Sequence, residues 1–213
     1  NEDSETASLL EKSNKPAESV HHEVSYPFDY PGMLAVDSYK NIYTVCSIPR
    51  DRQELSDDGN TLYSQTVLRF ARDGSSLEYI GQQGPGGTPF PFIKNIYTTS
   101  KDELVVTAVD TEGTVVYWFA TDGFLKYMIP VGTKNVPVIS GKDSSSEMFW
   151  TISNVVPDPM SYKLYVQVDY YNTYLDEDSK VQSGVNFVQS SLYTLNAETG
   201  LYNQPVTIPP YEE

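Results

Sequence analysis

A single cysteine, Cys46, excludes an internal disulfide in this chain of 213 residues. Its neighbours Ile42, Val45 and Ile48 make it a small buried hydrophobe, because a reactive thiol needs a basic group beside it. Histidine is almost as scarce: His21 and His22 sit together in a polar N-terminal stretch, which leaves a Ser/His/Asp triad without a plausible base. No apolar run approaches the roughly 20 residues that span a bilayer, so the visible chain does not insert directly into a membrane. Positive charge is in short supply too. Fourteen Lys and Arg against 29 Asp and Glu leave a net charge of −15, which disfavours nucleic acid, whose binding depends on neutralised phosphates.

What is abundant is β-forming. Aromatics are 13% of the residues, 17 of them tyrosine, and 14 prolines and 13 glycines supply turns. The chain starts at Asn1 with no signal-peptide pattern, so it reads as processed or trimmed. Residues 1–25 read as a mobile acidic tail, with a short surface helix near Ser8–Lys12 as the alternative.

Beyond the tail, groups of four short β-rich runs recur, in segments of about 28–90, 91–137 and 138–210. Asn41-Ile-Tyr-Thr and Asn95-Ile-Tyr-Thr look alike, but matching them puts the second copy one strand out of step. The consistent register matches Ala35-Val-Asp with Tyr97-Thr-Thr, Asn41–Val45 with Glu103–Thr107, Val67–Phe70 with Val116–Phe119, and Leu77–Ile80 with Phe124–Ile129. A looser third copy runs through Glu147–Ser153, Lys163–Asp169, Ser191–Leu195 and Pro205–Ile208. Turns at Asp73-Gly74, Asp122-Gly123 and Thr199-Gly200 join third to fourth strands, with Gly tolerating positive φ at low cost. The second-strand anchors Ile42, Leu104 and Leu164 lie 62 and 60 residues apart. These intervals exceed the roughly 40–50 residues of common propeller repeats, the excess falling in inserts at Pro49–Tyr63 and Asn172–Val185. Gly81–Gly87 reads as an inter-blade crossover, since it lacks the Gly-Lys-Ser/Thr ending of a phosphate cradle.

The predicted fold is therefore all-β, in three four-stranded antiparallel β-propeller blades. The first copy (Pro31-Gly32, Asp37, Asn41-Ile42-Tyr43, Arg69-Phe70, Asp73-Gly74, then Gly81, Gly84, Gly86 and Phe90-Pro91) resembles the NHL repeat family, and bacterial cell-envelope lipoproteins of that type, spirochaetal ones in particular. The resemblance implies a six-bladed ring and an envelope location, periplasmic or surface, anchored through lipid on a segment not present here. Six blades need about 250 residues, so three imply a longer polypeptide, capped ends, or a homodimer pairing three blades with three.

Related six-bladed enzymes hold an axial metal, and Asp37, Asp110 and Asp169 are the candidate ligands; they do not occupy equivalent strand positions, and solvated or turn-forming carboxylates are the simpler reading. Asp57-Asp58-Gly59-Asn60 reads as a turn for want of calcium-loop spacing. No cofactor is expected. Tyr170, Tyr171 and Tyr174, running into the acidic Asp176-Glu177-Asp178, are the candidate binding residues, with a protein as partner. The reading is a non-catalytic binding or assembly module; the alternative is a divalent-cation-dependent lactonase or hydrolase.

Overall fold

Strand-forming sequence becomes strand throughout the computed structural model, which describes residues 29–75, 77–132, 136–137, 148–175 and 182–209. The tail, residues 1–25, lies outside them. Three four-stranded antiparallel sheets follow one another along the chain. Sheet I contains β1 (Leu34–Val36), β2 (Ile42–Ser47), β5 (Gln65–Phe70) and β6 (Leu77–Ile80); sheet II contains β7 (Phe92–Thr98), β8 (Leu104–Val109), β9 (Gly113–Phe119) and β10 (Leu125–Gly132). Sheet III contains β11 (Met148–Pro157), β12 (Lys163–Leu175), β13 (Gln182–Asn196) and β14 (Val206–Ile208). In each sheet every strand pairs with its sequence neighbour in that sheet, the meander of a propeller blade. Asn95-Ile-Tyr-Thr lies in β7, a first strand, and Asn41-Ile-Tyr-Thr leads into β2, a second strand, as the register argument required. No helix among the described residues is long and apolar enough to cross a membrane.

The turns between third and fourth strands need glycine. Gly74, Gly123 and Gly200 have φ of 69°, 85° and 69°, a region that a Cβ makes costly. Gly84 in the crossover from β6 to β7 is required for a different reason: a Cβ there would lie 2.1 Å from the Tyr79 carbonyl oxygen.

The described parts of the inserts are more ordered than loops. Pro49–Tyr63 holds a 3-10 turn (Arg50–Arg52) and a small hairpin, β3 (Glu54–Leu55) with β4 (Leu62–Tyr63). The second insert is mostly a continuation of its own sheet: β12 runs 13 residues and β13 runs 15, forming an arm beyond the end of β11. Tyr171 pairs with Phe187 at the edge of the blade and Thr173 with Val185 beyond it, so the strands have no reason to stop where the blade does.

Sheet II stands in the middle and is apolar on both faces. Leu104, Val106, Ala108, Val115, Tyr117 and Phe119 pack towards sheet I, joining Tyr43, Val45, Val67 and Ile80. The alternate residues Val105, Val116 and Trp118 pack towards sheet III, meeting Leu164, Val166, Val168, Tyr193 and Leu195. Period-two alternation thus fills two inter-sheet cores from one sheet, each fully buried Val, Leu or Phe contributing roughly 1.5–3 kcal/mol. Phe90 ends the crossover inside the first core, edge-on to Tyr117 and Phe119 at 5.3 and 5.6 Å.

Polar clasps lock the stack. Between sheets I and II, Thr98 Oγ1 donates to the Val36 carbonyl at 2.8 Å, and the Ser38 N–H and Oγ donate to the Asp102 carboxylate at 2.7 and 2.9 Å. Between II and III, buried Glu103 accepts from Trp118 Nε1 at 2.8 Å, Lys126 Nζ at 3.0 Å and Tyr162 Oη at 3.0 Å. Lys126 also lies 4.2 Å from the Tyr162 ring centroid, a cation–π contact. Burial pushes the Glu103 carboxyl up, but the three donated bonds outweigh it and hold it below the ordinary range. A depressed carboxylate contributes stability above its unfolded pKa and loses it as pH falls through the folded one. Glu103→Gln is therefore expected to cost on the order of 1–3 kcal/mol near neutrality. In urea melts the penalty should shrink as pH drops below about 4; a variant as stable as wild type at pH 7 would show the clasp to be dispensable.

Candidate binding surface

The second strand of sheet III sets which tyrosines are available. Leu164, Val166 and Val168 point into the core with sheet II, and Tyr170 shares their parity. Tyr170 is accordingly buried: its hydroxyl lies 2.6 Å from Tyr193 Oη and donates to the Pro137 carbonyl at 2.8 Å, and desolvation drives its pKa upward. The expectation of a surface tyrosine at Tyr170 is corrected; it is a core residue.

Tyr171 points the opposite way, half-buried in a row of three rings. It stacks on Phe149 at 5.3 Å with 15° between planes and meets Phe187 at 5.8 Å edge-on. Cross-strand register makes the row, since Tyr171 pairs with Phe149 on one side and Phe187 on the other. Tyr174, further out on the arm, is exposed and lies against Gly184, where an added Cβ would be 2.4 Å from its hydroxyl oxygen. Tyr174 shares the parity of Tyr170, so it lies on the opposite face from Tyr171, whereas exposed Phe149, Val185 and Phe187 form with Tyr171 an apolar patch that the tyrosine count alone did not reveal. The alternation in Val185-Asn-Phe carried a signal, but pairing Phe187 with Tyr171 depends on a bulge at Val188. Asp176, Glu177 and Asp178 lie outside the described residues.

The carboxylates considered as metal ligands are each engaged locally. Asp37 accepts from the Asn41 N–H at 2.8 Å, Asn41 Nδ2 at 2.7 Å and Tyr43 Oη at 3.2 Å, closing the β1–β2 turn. Asp110 caps the β8–β9 turn through the N–H groups of Glu112 and Gly113 at 2.8 and 2.9 Å. Asp169 accepts from Ser153 Oγ and Ser190 Oγ on the outer face of sheet III. Asp58 accepts from Ser56 Oγ, the Asn60 N–H and Asn60 Nδ2, bonds that hold its carboxyl low and fold the segment as a turn. Among the described residues no group of three or more His, Cys, Asp and Glu converges as a metal site would require. Cys46 is buried, its thiol pushed up to about 11 by desolvation and the nearby Asp29 charge.

Compared with known proteins, the chain matches no family model and no curated protein sequence.

The buried and exposed tyrosines should separate in stability. Tyr170→Phe strands the Pro137 carbonyl and the Tyr193 hydroxyl, at an expected cost of about 1–3 kcal/mol. Tyr174→Ala, on the surface, should change stability by less than about 1 kcal/mol. Urea unfolding midpoints measure both; equal effects would contradict the assigned burial.

Proposed function

We propose that this chain is a non-catalytic, NHL-like β-propeller binding or assembly module of a bacterial cell envelope, engaging a protein partner through the arm of sheet III. The observation that carries this reading is the Phe149–Tyr171–Phe187 row on the outer face of sheet III, with Val185 beyond it on the same face and exposed Tyr174 on the opposite face, where β12 and β13 run on past the end of β11. Aromatic side chains of limited rotamer freedom are what protein interfaces concentrate at their centres. The acidic stretch Asp176-Glu177-Asp178 follows directly and favours a partner with a basic surface there. The envelope location and the NHL identity rest on the repeat motif of the first blade.

Partner capture tests the reading. With the immobilised chain and an extract of the source cells, a Tyr171→Ala/Tyr174→Ala double variant should lose the protein that wild type retains. Hot-spot truncation costs about 2 kcal/mol or more, roughly thirtyfold in affinity. Equal capture by a folded double variant removes the arm from consideration. The enzyme alternative makes a separate demand: a native-state cation site raises the melting temperature as calcium or zinc is titrated into the millimolar range. The binding reading expects no such rise.

A further inference from the structure

Identical pairing lets equivalent positions in the three sheets be compared directly. Ile42, Leu104 and Leu164 each pair with the last residue of the preceding first strand, Val36, Thr98 and Pro157. Leu104 and Leu164 are 2% and 0% exposed, pressed against the preceding sheet, whereas Ile42 is 39% exposed. One residue later the side chain faces the following sheet, and the exception moves to the other end of the stack. Tyr43 and Val105 are 2% and 0% exposed, but Tyr165 is 39% exposed. Third strands repeat the contrast, with Val67 and Val116 both at 0% and Leu192 at 37%.

The three sheets therefore stack in one sense, and each end presents the face that is sealed everywhere else. The free face of sheet I has Leu34, Val36, Ile42 and Tyr79 exposed, and carries a groove of ≈ 420 Å³ lined by Cys46, Thr66, Leu68 and Tyr79. The free face of sheet III carries Tyr165, Leu192 and Val206 exposed, separated from the aromatic row by Asp169 with Ser153 and Ser190.

We propose that a second copy of this chain covers both ends, sheet III of each copy packing on sheet I of the other to close a ring of six blades. The contact continues the two inter-sheet interfaces already present, with the same strand positions meeting in the same order. Because the two free faces are unlike, association is head-to-tail, and such contacts either close or polymerise. Propellers close with about four to eight blades, so with the three four-stranded sheets of the described residues in each copy, two copies fit and three do not. This assembly uses the sheet bodies and goes beyond the partner-binding role of the arm.

Light scattering on the full chain at about 10 μM and 0.15 M salt tests it, since that ionic strength screens the repulsion between two chains of charge −15. The expected mass is twice the 23.9 kDa of one chain. Ile42→Asp and Leu192→Asp, at opposite ends, should each reduce the mass to a single chain with far-UV circular dichroism unchanged. Tyr174→Ala should leave the doubled mass intact, which separates this assembly from partner capture by the arm. A wild-type mass of one chain, an open-ended series of larger masses, or a doubled mass that survives both aspartates would each overturn the proposal.

Discussion

Everything in this chain depends on sheet II being apolar on both faces. A half-buried antiparallel sheet is normally polar on one side. Here β8 and β9 alternate two sets of hydrophobic residues, one for each neighbour, and Trp118 and Phe119 show the division on consecutive positions. Removing either neighbour would leave one whole set in water. Sheets I and III each bury only one face within the chain, the one against the sheet between them.

The clasps add direction to that packing. Apolar faces alone would tolerate sliding, because burial is not directional. Glu103, Trp118, Lys126 and Tyr162 fix sheet II against sheet III, and Ser38 with Asp102 fixes sheet I against sheet II. Each clasp joins a turn or strand end on one sheet to the next, so the register between blades is held at their rims.

Much of this was legible in the residues. The strands and their fourfold grouping followed from β-branched and aromatic runs separated by turns, and the glycine turns at Gly74, Gly123 and Gly200 marked where third strands give way to fourth. The parity of Tyr170 was legible as well, since Leu164, Val166 and Val168 share it; counting tyrosines as a surface group overlooked it. Other features were not readable. The Asn172–Val185 insert was expected as a loop, whereas β12 and β13 pair on through Thr173 and Val185, and beside them Tyr171 and Phe187 meet only through long-range register with a bulge. Tyr162 and Glu103 are 59 residues apart, and no local pattern announces that they share a hydrogen bond.

Cys46 lends the molecule a further property. A lone thiol, buried in the lining of the sheet I groove and poorly ionised at neutral pH, reacts slowly with alkylating reagents while the blade is intact. Its modification rate therefore reports how often the first blade opens, independently of any global melting experiment. The chain carries a native chemical gauge of local unfolding at one end of its stack, with no second cysteine to confuse the signal.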